Sequence, residues 1–263
     1  MTSSLILAAG KGLRLSPITN NLPKALTPFL GVSLLKRQIA VLDKSGIKRI
    51  HVVTGYLSEQ IETLSHKLNF TTTFNSSYNK SNMVNSMFSA NEFIRNTKED
   101  LIISYGDIIY EKKNLKKILT CNENISVMVD LKWKNLWEKR MKNPLKDVET
   151  LILNNENFIT ELGKKTNDYN KIQGQYTGLI KIKHNVINDV LSFYYNLNKS
   201  KTFFEKKIDD LYMTDFLQLL INDGKKIKAV LVKGGWLEFD TLDDLKSYEQ
   251  MNDTNLLKKL YKL

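Results

Sequence analysis

The stretch Ser4-Leu5-Ile6-Leu7-Ala8-Ala9-Gly10-Lys11-Gly12-Leu13-Arg14 decides how the rest of the chain is read. Ser4 to Ala9 is a short apolar run with no polar alternation, as expected of a strand buried on both faces. It ends in a glycine-rich turn, where the backbone can approach a ligand closely and present N–H donors to an anion. A buried strand that opens into such a turn starts many α/β sheets, and ligands in those sheets sit beyond the carboxyl ends of the strands.

The following segments continue the alternation. Ser33 to Lys44 has apolar residues at helical spacing and stops at Gly46. Arg49 to Thr54 is β-branched and bounded by Gly55, a second buried strand. Helices are predicted over 57–68, 83–95 and about 114–119, and strands over 70–74, 101–105 and 125–129. The succession βαβαβαβαβ predicts an α/β fold, a Rossmann-like, doubly wound and mostly parallel sheet. Beyond residue 131 the pattern is less regular. Short strands are expected at 150–153, 158–162, 175–182, 227–232 and 236–240, with helices at 185–196, 212–222 and 242–251. No linker or repeat interrupts the chain. Residues 1–263 are therefore read as a single domain, with a nucleotide-binding half (about 1–131) and an acceptor-binding half with a smaller lid-like insertion (132–263).

Composition removes several classes of function. At 263 residues the chain can bury a core without staples. One cysteine, Cys121, excludes a disulfide scaffold, and the three histidines have no metal-ligand spacing. No apolar run approaches a membrane span, so membrane insertion is not expected. Leu5 to Ala9 is too short for a signal-peptide core, and a cytoplasmic location is expected. The net charge of +11 suggests nucleic acid. However, the 39 basic residues are 34 Lys and 5 Arg, spread along the whole chain. Nucleic-acid readers favour the arginine fork, so the charge is read as solvated surface and no nucleic-acid partner is expected.

The turn itself separates nucleotide-binding motifs. A dinucleotide fingerprint needs glycine at position 15, where Leu15 stands, and no Gly-Lys-Ser/Thr follows for a P-loop. What is present is Gly10-Lys11-Gly12-Leu13-Arg14, then Pro17-Ile18-Thr19 and Pro23-Lys24. Arg14 can fork onto a phosphate, and Lys24 can supply a point charge. Residues 5–24 resemble the signature of the nucleotidyltransferases that make nucleoside-diphosphate sugars and related activated alcohols. The resemblance implies that Leu7, Ala8, Ala9, Gly10, Lys11 and Gly12 hold a nucleotide, and that Arg14 and Lys24 act on its phosphates. It implies a Mg²⁺ site on Asp107, in Ser104-Tyr105-Gly106-Asp107, and on Asp240, in Trp236-Leu237-Glu238-Phe239-Asp240. Mg²⁺ suits one or two carboxylates plus phosphate oxygens. The alternative for Asp240 is a helix N-cap.

Asn82-Met83-Val84-Asn85-Ser86-Met87, Tyr212 to Leu217 and Gly235 to Thr241 resemble the branch of cytidylyltransferases that act on phosphocholine and aminoalkylphosphonates. This resemblance implies a nucleotide role for Asn82 and Ser86, and transfer of CMP from CTP to a small phosphorylated or phosphonate acceptor. Tyr56 is a further candidate near the base. Trp133, Trp137, Glu138, Trp236 and Glu238 are candidates for acceptor binding, because aromatics and carboxylates can hold a cationic amine. Lys164 is a candidate for the acceptor phosphate, and Gln175 is a polar candidate at the start of the strand expected to floor the acceptor pocket. Packing in the core or a lid is the alternative for the tryptophans. Two further functions stay open: a sugar-1-phosphate nucleotidyltransferase using UTP, dTTP or GTP, and a non-catalytic relative that binds a nucleotide sugar.

Overall fold

The computed structural model describes residues 1–262. Its centre is a seven-stranded sheet: β1 (Thr2–Leu7), β2 (Ile50–Thr54), β3 (Thr71–Phe74), β4 (Asp100–Tyr105), β5 (Ile125–Asp130), β6 (Gln175–Ile182) and β7 (Ile227–Val232). The spatial order is β7-β5-β6-β4-β1-β2-β3. β1 runs parallel to β2 and β4, β2 to β3, and β5 to β7. β6 alone is reversed, antiparallel to both β4 and β5. The sheet is thus α/β and mostly parallel. Between β5 and β6 the chain forms the helix Trp133–Arg140 and then a hairpin of Glu149–Leu153 and Ile159–Lys165, and it leaves the hairpin to enter β6 running against both neighbours.

The apolar strands lie between two layers of side chains. Ile6, Val52, Ile102 and Met128 face one core, and Leu5, Val53, Ile103 and Val127 face the other. This alternation explains why the strands read as continuous apolar runs. Flanking helices include α1 (Leu34–Asp43), α2 (Met83–Ser89), α3 (Lys112–Leu119), α4 (Trp133–Arg140), α5 (Ile187–Tyr195), α6 (Met213–Asn222) and α7 (Leu242–Asp253). Two predicted helices are each divided. The one over 57–68 breaks where the Thr63 hydroxyl donates to the Gln60 carbonyl, a local bond that competes with the helix. The one over 83–95 breaks at Ala90.

The sheet crosses residue 131 and takes β6 and β7 from the second half of the chain. The hairpin is joined to it through a bridge between Phe158 and Lys228. A two-stranded ribbon joins the two halves at the ends of the strands. Ile108–Tyr110 pairs antiparallel with Trp236–Glu238, and the Phe239 N–H donates to the Asp107 carbonyl at 3.0 Å. The ribbon brings Asp107 beside Asp240, 133 positions later in the chain (240 − 107 = 133). Among the described residues no helix is long and apolar enough to cross a membrane.

Candidate functional site

The carboxyl ends of β1 and β4 open into a cleft of about 580 Å³. The turn Leu7 to Gly12, with Arg14 and Lys24, forms one wall, Tyr78 to Ser86 another, and Tyr105, Asp107 and Asp240 the floor. Gly12 adopts φ 64°, a left-handed conformation that side chains rarely take. A Cβ there would also lie 2.8 Å from Lys24 Cβ, so glycine lets the turn pass directly over the lysine. The Thr19 hydroxyl donates to the Gly12 carbonyl at 2.8 Å and holds the loop in that shape.

Lys24 Nζ sits between the two predicted carboxylates. It is 2.5 Å from Asp107 Oδ2 and 2.8 Å from Asp240 Oδ1. Burial disfavours the ammonium ion, yet Asp107 and Asp240 outweigh burial and raise its pKa above the ordinary value. Burial likewise works against the Asp240 carboxylate. Lys24, Arg14 and Arg140 overcome it and hold that pKa below the usual range. Arg14 is largely exposed and reaches Asp240 Oδ1 at 3.1 Å. The site therefore holds ionised groups of both signs at the mouth of a concave, backbone-lined turn.

A cation fits these residues. Asp107 Oδ1 is buried and has no hydrogen-bond partner, which is costly for a carboxylate oxygen. Among the described residues no group of three or more His, Cys, Asp or Glu side chains forms a metal cage. Two carboxylates with room for phosphate oxygens are what Mg²⁺ commonly uses, and they would disfavour a tightly caged ion.

The structure gathers most of the predicted nucleotide residues. Leu7, Ala8, Ala9, Gly10, Lys11, Gly12, Arg14, Lys24, Asn82, Ser86, Asp107 and Asp240 all line the cleft. Asn82 also caps α2, its side chain accepting from the Met83 N–H. Ser86 accepts from Asn75 Nδ2 at 3.0 Å. Tyr56 does not line the cleft. Its hydroxyl donates to the Asn20 carbonyl and its N–H to the Ala9 carbonyl, so it pins the turn from outside.

The acceptor candidates are scattered. Trp133, Trp137 and Trp236 form one buried aromatic cluster, with Trp137 6.2 Å from Trp133 and 6.0 Å from Trp236. Trp137 Nε1 donates to Asp147 and Trp236 Nε1 to Asp130, so all three are core residues and none faces the cleft. The Trp137 and Trp236 indoles can be buried here because acidic side chains satisfy their N–H groups. Glu138 is exposed, 3.9 Å from Lys134, and Lys164 is exposed against Glu161. Gln175 opens β6 opposite Asp130 and stands outside the cleft lining. Glu238 is held by Arg140 Nη1 at 2.6 Å. Burial and the nearby Asp240 charge push its pKa up against that pull.

Three features of the site are not apparent from the sequence. Tyr78 and Tyr105 line the cleft. Asp209 accepts from the Asn82 N–H through its carbonyl and from Asn85 Nδ2 through its carboxylate, tying α2 to the second half of the chain. Arg140 lies behind Asp240. For Arg140 a signal existed: it is one of five arginines among 34 lysines, and arginine is the residue that fits a bidentate site.

Comparison with known proteins agrees with this geometry. The nucleotidyl transferase family model matches residues 3–136. The chain is 39% identical to the CTP:phosphoglutamine cytidylyltransferase of Campylobacter jejuni, over 93% of this chain and 98% of that protein. It is 38% identical to the choline-phosphate cytidylyltransferase of Streptococcus pneumoniae over 36% of this chain and 41% of that one. The inositol-1-phosphate CTP transferase of T. maritima shares the fold, with a TM-score of 0.74 at 22% identity, covering 100% of this chain and 98% of that chain.

Proposed function

The chain belongs to the nucleotidyl transferase family, and from that premise we propose that it is a Mg²⁺-dependent cytidylyltransferase that transfers CMP from CTP to a small phosphorylated acceptor. The observation that carries this reading is the cleft in which Lys24 bridges Asp107 and Asp240 beneath the Leu7–Gly12 turn. The similarity to the C. jejuni enzyme favours CTP over other nucleotides, and a phosphorylated amino-acid amide as acceptor.

A nucleoside triphosphate carries about four negative charges, and an acceptor phosphate adds up to about two more. These anions must be brought together before reaction. The acceptor oxygen attacks the α-phosphorus in line and pyrophosphate leaves from the opposite side. No covalent intermediate with the protein is needed, so catalysis is positioning plus electrostatic stabilisation. Backbone N–H groups of the turn bind the nucleotide, Arg14 meets the leaving phosphates, and Lys24 meets charge that develops at the reacting phosphoryl group. Asp107 and Asp240 would hold Mg²⁺, which neutralises phosphate charge and orients the oxygens when bound.

The experiment is direct. Purified protein is mixed with CTP, Mg²⁺ and, in turn, phosphoglutamine, phosphocholine or 2-aminoethylphosphonate. Pyrophosphate and the CDP- or CMP-linked product are then quantified. Stoichiometric release of both with one acceptor is expected. Release of neither with any of the three overturns the assignment.

A further inference from the structure

Asp240 divides its two oxygens between opposite sides. Oδ1 faces the cleft, where it meets Lys24 Nζ at 2.8 Å and Arg14 Nη2 at 3.1 Å. Oδ2 faces away from the cleft, where Arg140 Nη2 lies 3.4 Å from it. The contact is long for a hydrogen bond, so it acts mainly as a charge interaction. Only 1% of the Arg140 side chain is exposed, which limits screening by water.

The guanidinium is itself fixed on every side. Nε donates to Asp244 Oδ1 at 2.9 Å and Nη2 to Asp244 Oδ2 at 3.2 Å, a fork onto one carboxylate. Nη1 donates to Glu238 Oε2 at 2.6 Å. Its Cζ lies over the Trp137 ring, 4.6 Å from the centroid. Asp244 Oδ2 also accepts from the backbone N–H groups of Asp240 and Thr241, each at 2.9 Å. One carboxylate thus holds both the arginine and the backbone that carries Asp240. Arg140 comes from the last position of α4, an element that contributes nothing to the cleft wall.

We propose that Arg140 is a positioning residue for the reaction, orienting Asp240 so that Oδ1 points at the nucleotide's metal ion, and this rests on Asp107 and Asp240 being the metal ligands. Lysine at this position keeps the charge and loses the fork, and glutamine loses both. Partners behind a metal ligand commonly set metal affinity by about tenfold or more.

The test uses full-length wild type, Arg140→Lys and Arg140→Gln, with CTP present and no acceptor. Mn²⁺ affinity is read from the free-ion signal in electron paramagnetic resonance, and folding from a cooperative thermal transition. A second series measures turnover against Mg²⁺ and the KM for CTP at saturating Mg²⁺. The expected result is Mn²⁺ binding weakened by about tenfold in Arg140→Lys and further in Arg140→Gln, with half-maximal turnover moved to higher Mg²⁺ and the KM for CTP near the wild-type value. A purely structural residue would lower the melting temperature and leave Mn²⁺ affinity unchanged in the folded variants, which overturns the proposal. Failure of both variants to fold also overturns it, since Arg140 is then required for the fold. Wild type that binds no Mn²⁺ and turns over without a divalent ion overturns the metal assignment itself.

Discussion

Lys24 is the residue on which the charge balance of the cleft depends. It is the cation that contacts both Asp107 and Asp240 within 2.8 Å. Under the proposed mechanism Lys24→Ala would remove one preorganised donor from the phosphates, so turnover should fall about 10²- to 10³-fold while the far-ultraviolet circular dichroism spectrum stays native. Turnover near wild type would remove Lys24 from the mechanism. Asp107→Asn should abolish the Mg²⁺ dependence of turnover together with the activity. An asparagine variant that still responds to Mg²⁺ titration would place the ion elsewhere. Most of this site is legible in the sequence because its residues sit in one contiguous turn or directly after a strand. Gly10, Gly12, Arg14 and Lys24 fall within fifteen positions, and Asp107 follows β4. Arg140 and Asp244 are not, because their roles exist only through contacts about a hundred positions apart. The tryptophans mislead because an aromatic near carboxylates has the same local pattern whether it binds a cation or has its N–H satisfied in a core.

At the scale of elements, two positions connect the strands to the site. β6 shifts register between Tyr176 and Ile180, and Gly178 stands at that shift with φ 81°. A Cβ at Gly178 would lie 2.7 Å from the ring of Tyr105, which lines the cleft. Gly178→Ala combines backbone strain with that clash and should cost about 1–3 kcal/mol, read as a lower denaturant midpoint. An unchanged midpoint would show that the bulge accommodates a side chain. His51 links β2 to β3 through its ring nitrogens, 2.6 Å from Thr71 Oγ1 and 2.8 Å from Thr73 Oγ1. It stacks on Phe93 at 4.4 Å. Burial, aided by Arg49, depresses its pKa to about 4. The unfolded chain takes up the proton near the ordinary value of about 6.5, so acid favours unfolding. The stabilising contribution is complete above that ordinary value and is lost as pH falls through about 4. Thermal scans should show a steeper loss of stability from pH 6.5 to 4 in wild type than in His51→Asn, and identical slopes would contradict this. Strand positions are legible because apolar runs report burial directly. The ribbon of Ile108–Tyr110 and Trp236–Glu238 is only half legible, since Ile108–Tyr110 is three residues long and its partner is distant in sequence.

For the whole molecule, the net charge of +11 is carried mainly by lysines spread along the chain, and Lys11, Arg14 and Lys24 are the basic residues lining the cleft. A distributed positive field of this kind attracts small polyanions and is screened by salt. Raising ionic strength should therefore lower kcat/KM for the nucleotide with little change in kcat. Insensitivity to salt would assign the excess charge no part in encounter. The alternating order of elements predicts an α/β, mostly parallel sheet, and the seven-stranded sheet has that form. The reversed β6 is not legible, because strand direction depends on how a connection packs rather than on the strand's own residues. Selectivity of the cleft for CTP is the property on which the assignment turns. With the acceptor that gives the highest turnover, equal concentrations of CTP, UTP, dTTP and GTP should be offered in one reaction and nucleotide consumption followed by chromatography. Selective consumption of CTP with release of pyrophosphate is the predicted result, and preference for UTP, dTTP or GTP would contradict it.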